Sequence, residues 1–210
     1  MSTRFVILRH GETEWNVASR IQGHTDSELT ALGRRQAQAL GKRMAGEPFD
    51  VLVSSDLGRA YNTAGCVSAR TGHPIVKDVR LRERSFGVAE GLTYGELDHQ
   101  FPDAFSRVRE TDPDFQIPGG ESRRQFQDRV KAAFESLAAE HLGKRVVIVC
   151  HGGVLAALYR VMHGIAVSAP HPIPIANASF NAVAYDGATW TTETWGDTGH
   201  LAAGALLEEA

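Results

Sequence analysis

Val6-Ile7-Leu8-Arg9-His10-Gly11-Glu12-Thr13 is an apolar run that ends abruptly in an arginine, a histidine and a glycine. Much later, Val146-Val147-Ile148-Val149-Cys150-His151-Gly152-Gly153 repeats the arrangement. Each reads as a hydrophobic strand delivering a histidine at its carboxyl end, the side on which open α/β sheets bind ligands. Short Val- and Ile-rich runs alternate with longer segments of helical periodicity along the chain. That alternation predicts an α/β fold: a mostly parallel central sheet with helices on both faces.

A chain of 210 residues suffices for one well-buried core, and it reads as a single domain spanning 1–210. A hydrophobic content of 42% and a charged content of 22% are ordinary for a soluble globular protein, and a net charge of −3 argues against a general nucleic-acid binder. Cys66 and Cys150 stand far apart in apolar surroundings, giving neither a disulfide framework nor zinc-ligand spacing. The amino terminus runs straight into a strand without a signal-like core, and no stretch approaches membrane-spanning length. A cytoplasmic protein without membrane partners is expected, and a homodimer is left open.

Strands are predicted at Arg4–Leu8, Asp50–Ser54, Ile75–Lys77 and Arg145–Cys150. A helix capped by Thr30 runs to Met44, with Leu32, Gln36, Leu40 and Met44 on one line and Arg34, Arg35, Lys42 and Arg43 turned outward. Leu57–Arg70 forms a second helix, stopped by Thr71-Gly72-His73-Pro74. A third spans Ser122–Leu142 behind the capping box Ser122-Arg123-Arg124-Gln125, with Phe126, Val130, Ala133, Leu137 and His141 on its apolar line. Another starts near Gly153 and runs to His163; then come prolines 170, 172 and 174. Ser179–Tyr185 and Thr189–Thr194 pair as a hairpin about Asp186-Gly187. The stretch 92–120 is expected to be a partial cover over the carboxyl edge of the sheet, with short helices behind Thr93 and at Asp103–Glu110. Residues 199–210 are expected to be a frayed tail.

Arg9 and His10 follow the first strand, Arg59 the second, Glu83 the third and His151 the fourth. In a parallel sheet these ends share one face, so arginines and histidines gather there into a cationic pocket whose natural guest is a phosphate. Guanidinium groups make paired, charge-assisted bonds to phosphoryl oxygens and stay protonated. Gly11, Gly152 and Gly153 allow backbone N–H groups close to the anion, and a helix starting near Gly153 adds its positive end. Neutral His10 can attack phosphorus and form a phosphohistidine, while Glu83 protonates the leaving alkoxide and later activates water. Arg9, Arg59 and His151 stabilise charge on the non-bridging oxygens.

These residues carry a resemblance. Arg9-His10-Gly11-Glu12-Thr13 with Trp15-Asn16, Gln22-Gly23, Leu29-Thr30, Gly33 and Gln36-Ala37 resembles the opening signature of the histidine phosphatase superfamily, also called phosphoglycerate-mutase-like. Ser54-Ser55-Asp56-Leu57-Gly58-Arg59-Ala60, Glu83 with Phe86-Gly87 and Glu90-Gly91, Gly119-Gly120-Glu121-Ser122 and Val149–Gly153 follow in family order. The resemblance implies that His10 is the phosphorylated nucleophile, that Arg9, Arg59 and His151 bind phosphate, and that Glu83 is the proton donor. It also implies that Asn16 and Gln22 line the pocket and that neither metal nor cofactor is needed. Arg84, Phe86, Arg107, Arg109 and Phe115 are candidate contacts to the leaving group of a small phosphorylated metabolite.

Within the family, Glu83-Arg84-Ser85-Phe86-Gly87 departs from the Glu-Arg-His-Tyr-Gly of cofactor-dependent mutases, so Phe86 lacks a phenolic hydroxyl. The stretch from Glu83 to His151 is also shorter than in those mutases. Both features favour a phosphatase over a mutase, with a noncatalytic phosphate-binding module and a metal hydrolase as further alternatives. Plainer readings exist residue by residue. His151 suits a helix cap, Glu83 a surface ion pair with Arg82 or Arg84, and Arg59 an exposed first helical turn. Cys150 suits a small buried side chain. Of the remaining histidines only His24 lies near the pocket motif.

Overall fold

The computed structural model describes residues 1–102, 112–169 and 173–202. Among them one sheet contains β1 (Thr3–Arg9), β2 (Val51–Ser54), β3 (Ile75–Lys77), β4 (Arg145–Cys150), β5 (Phe180–Tyr185) and β6 (Trp190–Asp197), in the order β3-β2-β4-β1-β5-β6. β1 to β4 are mutually parallel, β5 pairs antiparallel with β1, and β6 antiparallel with β5. The helices are α1 (Glu14–Val17), α2 (Ala31–Met44), α3 (Gly58–Thr71), α4 (Tyr94–Gln100), α5 (Arg123–Glu140), α6 (Gly152–His163) and α7 (Gly199–Ala202).

Alternation along the central strands sorts the core into two halves. Phe5 and Ile7 of β1, with Val146, Ile148 and Cys150 of β4, pack against Val130, Phe134 and Leu137 of α5 and Val154, Leu155 and Leu158 of α6. Val6, Leu8, Val147 and Val149 turn to the other face and meet Leu40 and Met44 of α2 and Ala60, Ala64 and Val67 of α3. Both faces are covered, which is why these strands read as unbroken apolar runs.

The helix boundaries follow local chemistry. The Thr30 hydroxyl accepts the Gly33 N–H at 2.9 Å, and Ser122 with Gln125 and Thr93 with Glu96 complete reciprocal capping boxes. Gly72, at φ 76°, ends α3 in the left-handed conformation that a glycine C-cap adopts without strain. The start of α2 is drawn tightly onto the first motif. A Cβ on Gly33 would collide with the carbonyl of Glu12, while the Glu12 amide donates to Gln36 Oε1 at 2.8 Å.

Several expectations need correction. Thr13 and Asn16 form a capping box for α1, a turn the apolar pattern did not reveal. Arg43 is not turned to solvent: it lies 3.6 Å over the Phe180 ring and pairs with Asp197 at 2.7 Å. The chain does not fray at 199, because α7 buries Leu201 in the α2/α3 half of the core. α5 ends at Glu140 with His141 as its C-cap, and β6 continues to Asp197. In the 92–120 stretch, Leu97 and Ile117 join Ile21 and Ala89 in a small third cluster. The helix expected at Asp103–Glu110, with Arg107 and Arg109, lies outside the described residues.

Candidate active site

Register sets the site. Arg9 of β1 stands opposite Cys150 of β4, and the His10 amide donates to the Cys150 carbonyl at 3.0 Å, so the two strands release His10 and His151 at one level. Their ring centroids are 5.3 Å apart. The backbone of His10 is pinned from its other side by the Ala178 amide at 3.1 Å and Asn177 Nδ2 at 3.0 Å, both donating to its carbonyl.

His10 is buried, and its Nδ1 lies 2.7 Å from the Gly11 carbonyl. A carbonyl only accepts, so Nδ1 carries the hydrogen and Nε2 the lone pair. Burial, then the charges of Arg59 and Arg9, hold its pKa well below the ordinary histidine range, leaving a neutral imidazole. His151 is fully buried and held low by burial, then by Arg59 and His10. It occupies the N-cap position of α6 but makes no side-chain cap bond; its Nε2 instead meets Ser55 Oγ at 2.8 Å. Ser55 Oγ also accepts the Leu57 amide at 3.4 Å, which anchors the hydroxyl beside the ring. Nδ1 has no partner among the described residues.

Arg59 is 2% exposed, which removes the surface reading. Its terminal nitrogens donate to the Gly23 carbonyl at 2.7 Å, the Thr25 carbonyl at 3.0 Å and Asp26 Oδ1 at 2.9 Å, so the cation also shapes the 23–26 loop. Arg9 donates to the Ile175 carbonyl.

Glu83 is held by backbone amides rather than by arginines. Oε1 accepts from Arg84 N–H and Oε2 from Gly153 N–H, each at 2.8 Å, the second at the positive end of α6. Arg82 turns away to Asp56, at 2.7 and 2.5 Å, and Arg84 Nε donates to the Glu121 carbonyl at 2.9 Å. The surface ion-pair reading of Glu83 therefore fails. Its own carbonyl accepts from His24 Nε2 at 3.0 Å and Arg129 Nη2 at 3.1 Å. Burial would raise the pKa of Glu90, but hydrogen bonds from Thr25 and from the amides of His24 and Phe86 outweigh it; the ionised Glu90 ties the 23–26 loop to the Glu83 segment.

A cavity of about 490 Å³ opens beside these groups; His151, fully buried behind His10, is not among its lining residues. Arg9, His10, Asn16, Gln22, Arg59, Glu83, Phe86, Gly152 and Gly153 all line it, as the sequence reading expected. Asn16 spends its Oδ1 on the Thr13 amide at 3.1 Å, which leaves its NH2 as the group to offer a guest, and Gln22 Oε1 is buried without a partner among the described residues. Gly11 corrects an expectation: it does not line the cavity, and its N–H donates to Thr63 Oγ1 at 3.1 Å. Arg84 lies instead in a neighbouring cavity. Burial pushes the Cys150 thiol up, so it is no second nucleophile. Sequence reasoning missed Ser55 as the partner of His151, and Asn177, Trp15, Tyr94 and Ile175. Ser55 was visible inside a quoted motif, but Asn177 carried no local signal. Among the described residues no cluster of three or more His, Cys, Asp or Glu could hold a metal ion, and no helix is long and apolar enough to cross a membrane.

A family model for the histidine phosphatase superfamily (branch 1) matches residues 5–198. The chain is 39% identical over 207 residues to phosphoglycerate mutase-like protein 4 of Arabidopsis thaliana, covering 97% of this chain and 89% of that one. It is also 39% identical over 209 residues to the metal-independent phosphoserine phosphatase of Arabidopsis thaliana, covering 98% and 86%. Among solved structures, a mycobacterial glucosyl-3-phosphoglycerate phosphatase complexed with VO3 matches with a TM-score of 0.82 at 36% identity, over 93% of this chain and 99% of that one.

Proposed function

Because the chain belongs to the histidine phosphatase superfamily, branch 1, we propose that it is a metal-independent phosphatase, hydrolysing small phosphomonoesters through a phosphohistidine on His10. The observation that carries this reading is the state of His10. It is a buried neutral imidazole whose Nδ1 is committed to the Gly11 carbonyl, with its other nitrogen available beside the buried Arg59 and the half-buried Arg9.

His10 Nε2 attacks phosphorus as the ester P–O bond breaks, and Glu83 gives its proton to the departing alkoxide oxygen. Glu83, now a carboxylate, takes a proton from the water that attacks the phosphohistidine. The P–N bond breaks, phosphate leaves and neutral His10 returns. Arg9, Arg59, His151 Nδ1 and the Asn16 NH2 meet the non-bridging oxygens, so the protein contributes positioning and preorganised charge rather than further covalent steps. A cytoplasmic location fits the two free cysteines, Cys66 and Cys150.

Mixing enzyme with a radiolabelled substrate and quenching in alkali should trap an acid-labile phosphate, and His10→Ala should lose both label and turnover. Turnover surviving in that variant overturns the mechanism. The similarity to a mutase-like protein keeps isomerisation as the second reading. Incubating 3-phosphoglycerate with and without a bisphosphoglycerate primer separates the two, since a phosphatase releases inorganic phosphate in both.

A further inference from the structure

We infer that His200, in α7, is a positioning residue for the nucleophile: through the Ala178 carbonyl it holds the segment that fixes the His10 backbone. The inference rests on the phosphatase reading above and adds to it a residue that does not line the cavity.

Residues 177–179 run alongside the nucleophile. The Ala178 amide and Asn177 Nδ2 both donate to the His10 carbonyl, at 3.1 and 3.0 Å, and the Arg9 amide donates to the Ser179 carbonyl at 3.2 Å. His10 is therefore aimed by this segment as well as by β4. Ala178 is fully buried and held at φ 55°, the left-handed region in which a Cβ is strained. Among the other described non-glycine residues only Ser19 has a positive φ. Such a conformation persists where its surroundings over-determine it, and here the peptide groups on both sides are committed. The Ala178 N–H goes to His10, and the Ala178 carbonyl accepts from His200 Nε2 at 3.0 Å.

The proton on His200 is fixed from two directions. A carbonyl only accepts, so Nε2 carries the hydrogen; a guanidinium only donates, so Nδ1 is the lone pair that meets Arg43 Nη1 at 3.1 Å. Burial, then the charge of Arg43, lowers the His200 pKa and favours the neutral ring that these bonds require. Arg43 is held in turn. Its Nη2 pairs with Asp197 at 2.7 Å, and its guanidinium lies 3.6 Å over the Phe180 ring. Asp197 Oδ1 also accepts the Gly199 amide at 2.7 Å, which ties the cluster to the start of α7. Leu201 would suffice to dock that helix in the core, where it packs in one cluster with Ala178. An oriented N–H aimed at the strained residue beside the nucleophile does something further: the contacts from Asp197 through Arg43, His200 and Ala178 end on the carbonyl of His10 itself.

The test uses p-nitrophenyl phosphate, whose phenolate departs without a proton from Glu83, so that kcat/KM reports the attack by His10. His200→Phe keeps a ring in place and removes both hydrogen bonds. It should lower kcat/KM about tenfold or more, as a slightly misplaced nucleophile does, and leave the inhibition constant of inorganic phosphate within about twofold, because the phosphate-binding groups stay in place. His200→Gln, with an N–H in place of Nε2 and an oxygen for Arg43, should recover most of the loss. Ala178→Gly, which takes φ 55° without strain, should recover part of it in the His200→Phe background. Should His200→Phe fail to fold, Arg43→Met, which releases His200 Nδ1 to take the proton, carries the same readouts. A wild-type kcat/KM in either folded variant overturns the positioning role, as does a loss matched in phosphate affinity and recovered by neither glutamine nor glycine; turnover by the unaltered enzyme then still upholds the phosphatase. Turnover of no ester by the unaltered enzyme overturns the phosphatase reading and the positioning role with it.

Discussion

His10 and His151 stand ring to ring at 5.3 Å because the chain leaves two adjacent parallel strands at the same rung, the His10 amide still bonded to the Cys150 carbonyl. Their side-chain bonds then separate their roles. His10 is fixed through Nδ1 to Gly11, whereas His151 is fixed through Nε2 to Ser55. Each therefore presents a different free nitrogen, Nε2 on His10 and Nδ1 on His151. Ser55→Ala removes the hydroxyl that holds the His151 ring. It should lower kcat about tenfold or more and cost about 1–3 kcal/mol of stability, since a buried imidazole nitrogen loses its partner. Steady-state kinetics and urea unfolding check both; a wild-type kcat in Ser55→Ala would show that Ser55 does not orient the ring.

A pH dependence of stability follows from the same pair. Burial, then nearby positive charge, depresses both folded-state pKa values below the ordinary 6.5. The unfolded chain therefore binds more protons below pH 6.5, and folding stability rises with pH in that window. The contribution is complete above about pH 6.5 and is lost as pH falls toward the folded pKa values, at up to about 1.4 kcal/mol per pH unit for each histidine. Urea midpoints at pH 8, 7, 6 and 5 should be level at first and then fall, and His151→Asn should make the fall shallower. A flat profile down to pH 5 would contradict the neutral pair.

The gathering of Arg9, His10, Arg59, Glu83 and His151 was legible because strand ends, motif order and residue chemistry all converge on one face of a parallel sheet. Arg59 and His151 needed no tertiary knowledge beyond that topology. The remainder was hidden where a contact joins distant segments. Asn177 reaches the His10 carbonyl only because β5 returns antiparallel beside β1, and nothing in the proline-rich stretch before it encodes that return. Gly11 was misread for a related reason. A glycine after a pocket histidine suggests an N–H for phosphate, but Thr63 of α3 claims that hydrogen, and Gly11 instead lets the backbone pass against Gly33. Arg43 likewise sat on the polar line of its helix, and helical periodicity does not report that Phe180 and Asp197 lie across from it.

Arg129 is a positioning residue for Glu83. It donates to the carbonyls of Arg80, Arg82 and Glu83 at 2.7, 3.0 and 3.1 Å, and grips Glu121 with two nitrogens at 2.8 and 2.7 Å. Glu121 in turn accepts the Ser85 amide at 2.9 Å. Arg129→Met should loosen the whole Glu83 segment, reducing kcat with little change in KM and costing about 3 kcal/mol as Glu121 loses its partner. Arg129→Lys, a point charge in place of a fork, should restore only part of either quantity. Equal recovery of kcat and stability by lysine would assign Arg129 a purely electrostatic part.

Gly153 tests the placement of Glu83 most directly. A Cβ there would collide with the Glu83 carboxylate, while the position itself is helical and tolerates alanine in its backbone. Gly153→Ala should therefore leave the fold intact and displace the acid. A catalytic group moved by about 1 Å can lose roughly a hundredfold in rate. The loss should depend on the leaving group. Esters of poor alkoxide leaving groups need the proton from Glu83 and should suffer most, whereas p-nitrophenyl phosphate, whose phenolate departs without one, should suffer least. Glu83→Gln, which removes the proton without the steric push, should show the same ordering. A uniform loss across leaving groups in both variants would mean that Glu83 holds the substrate rather than protonating it.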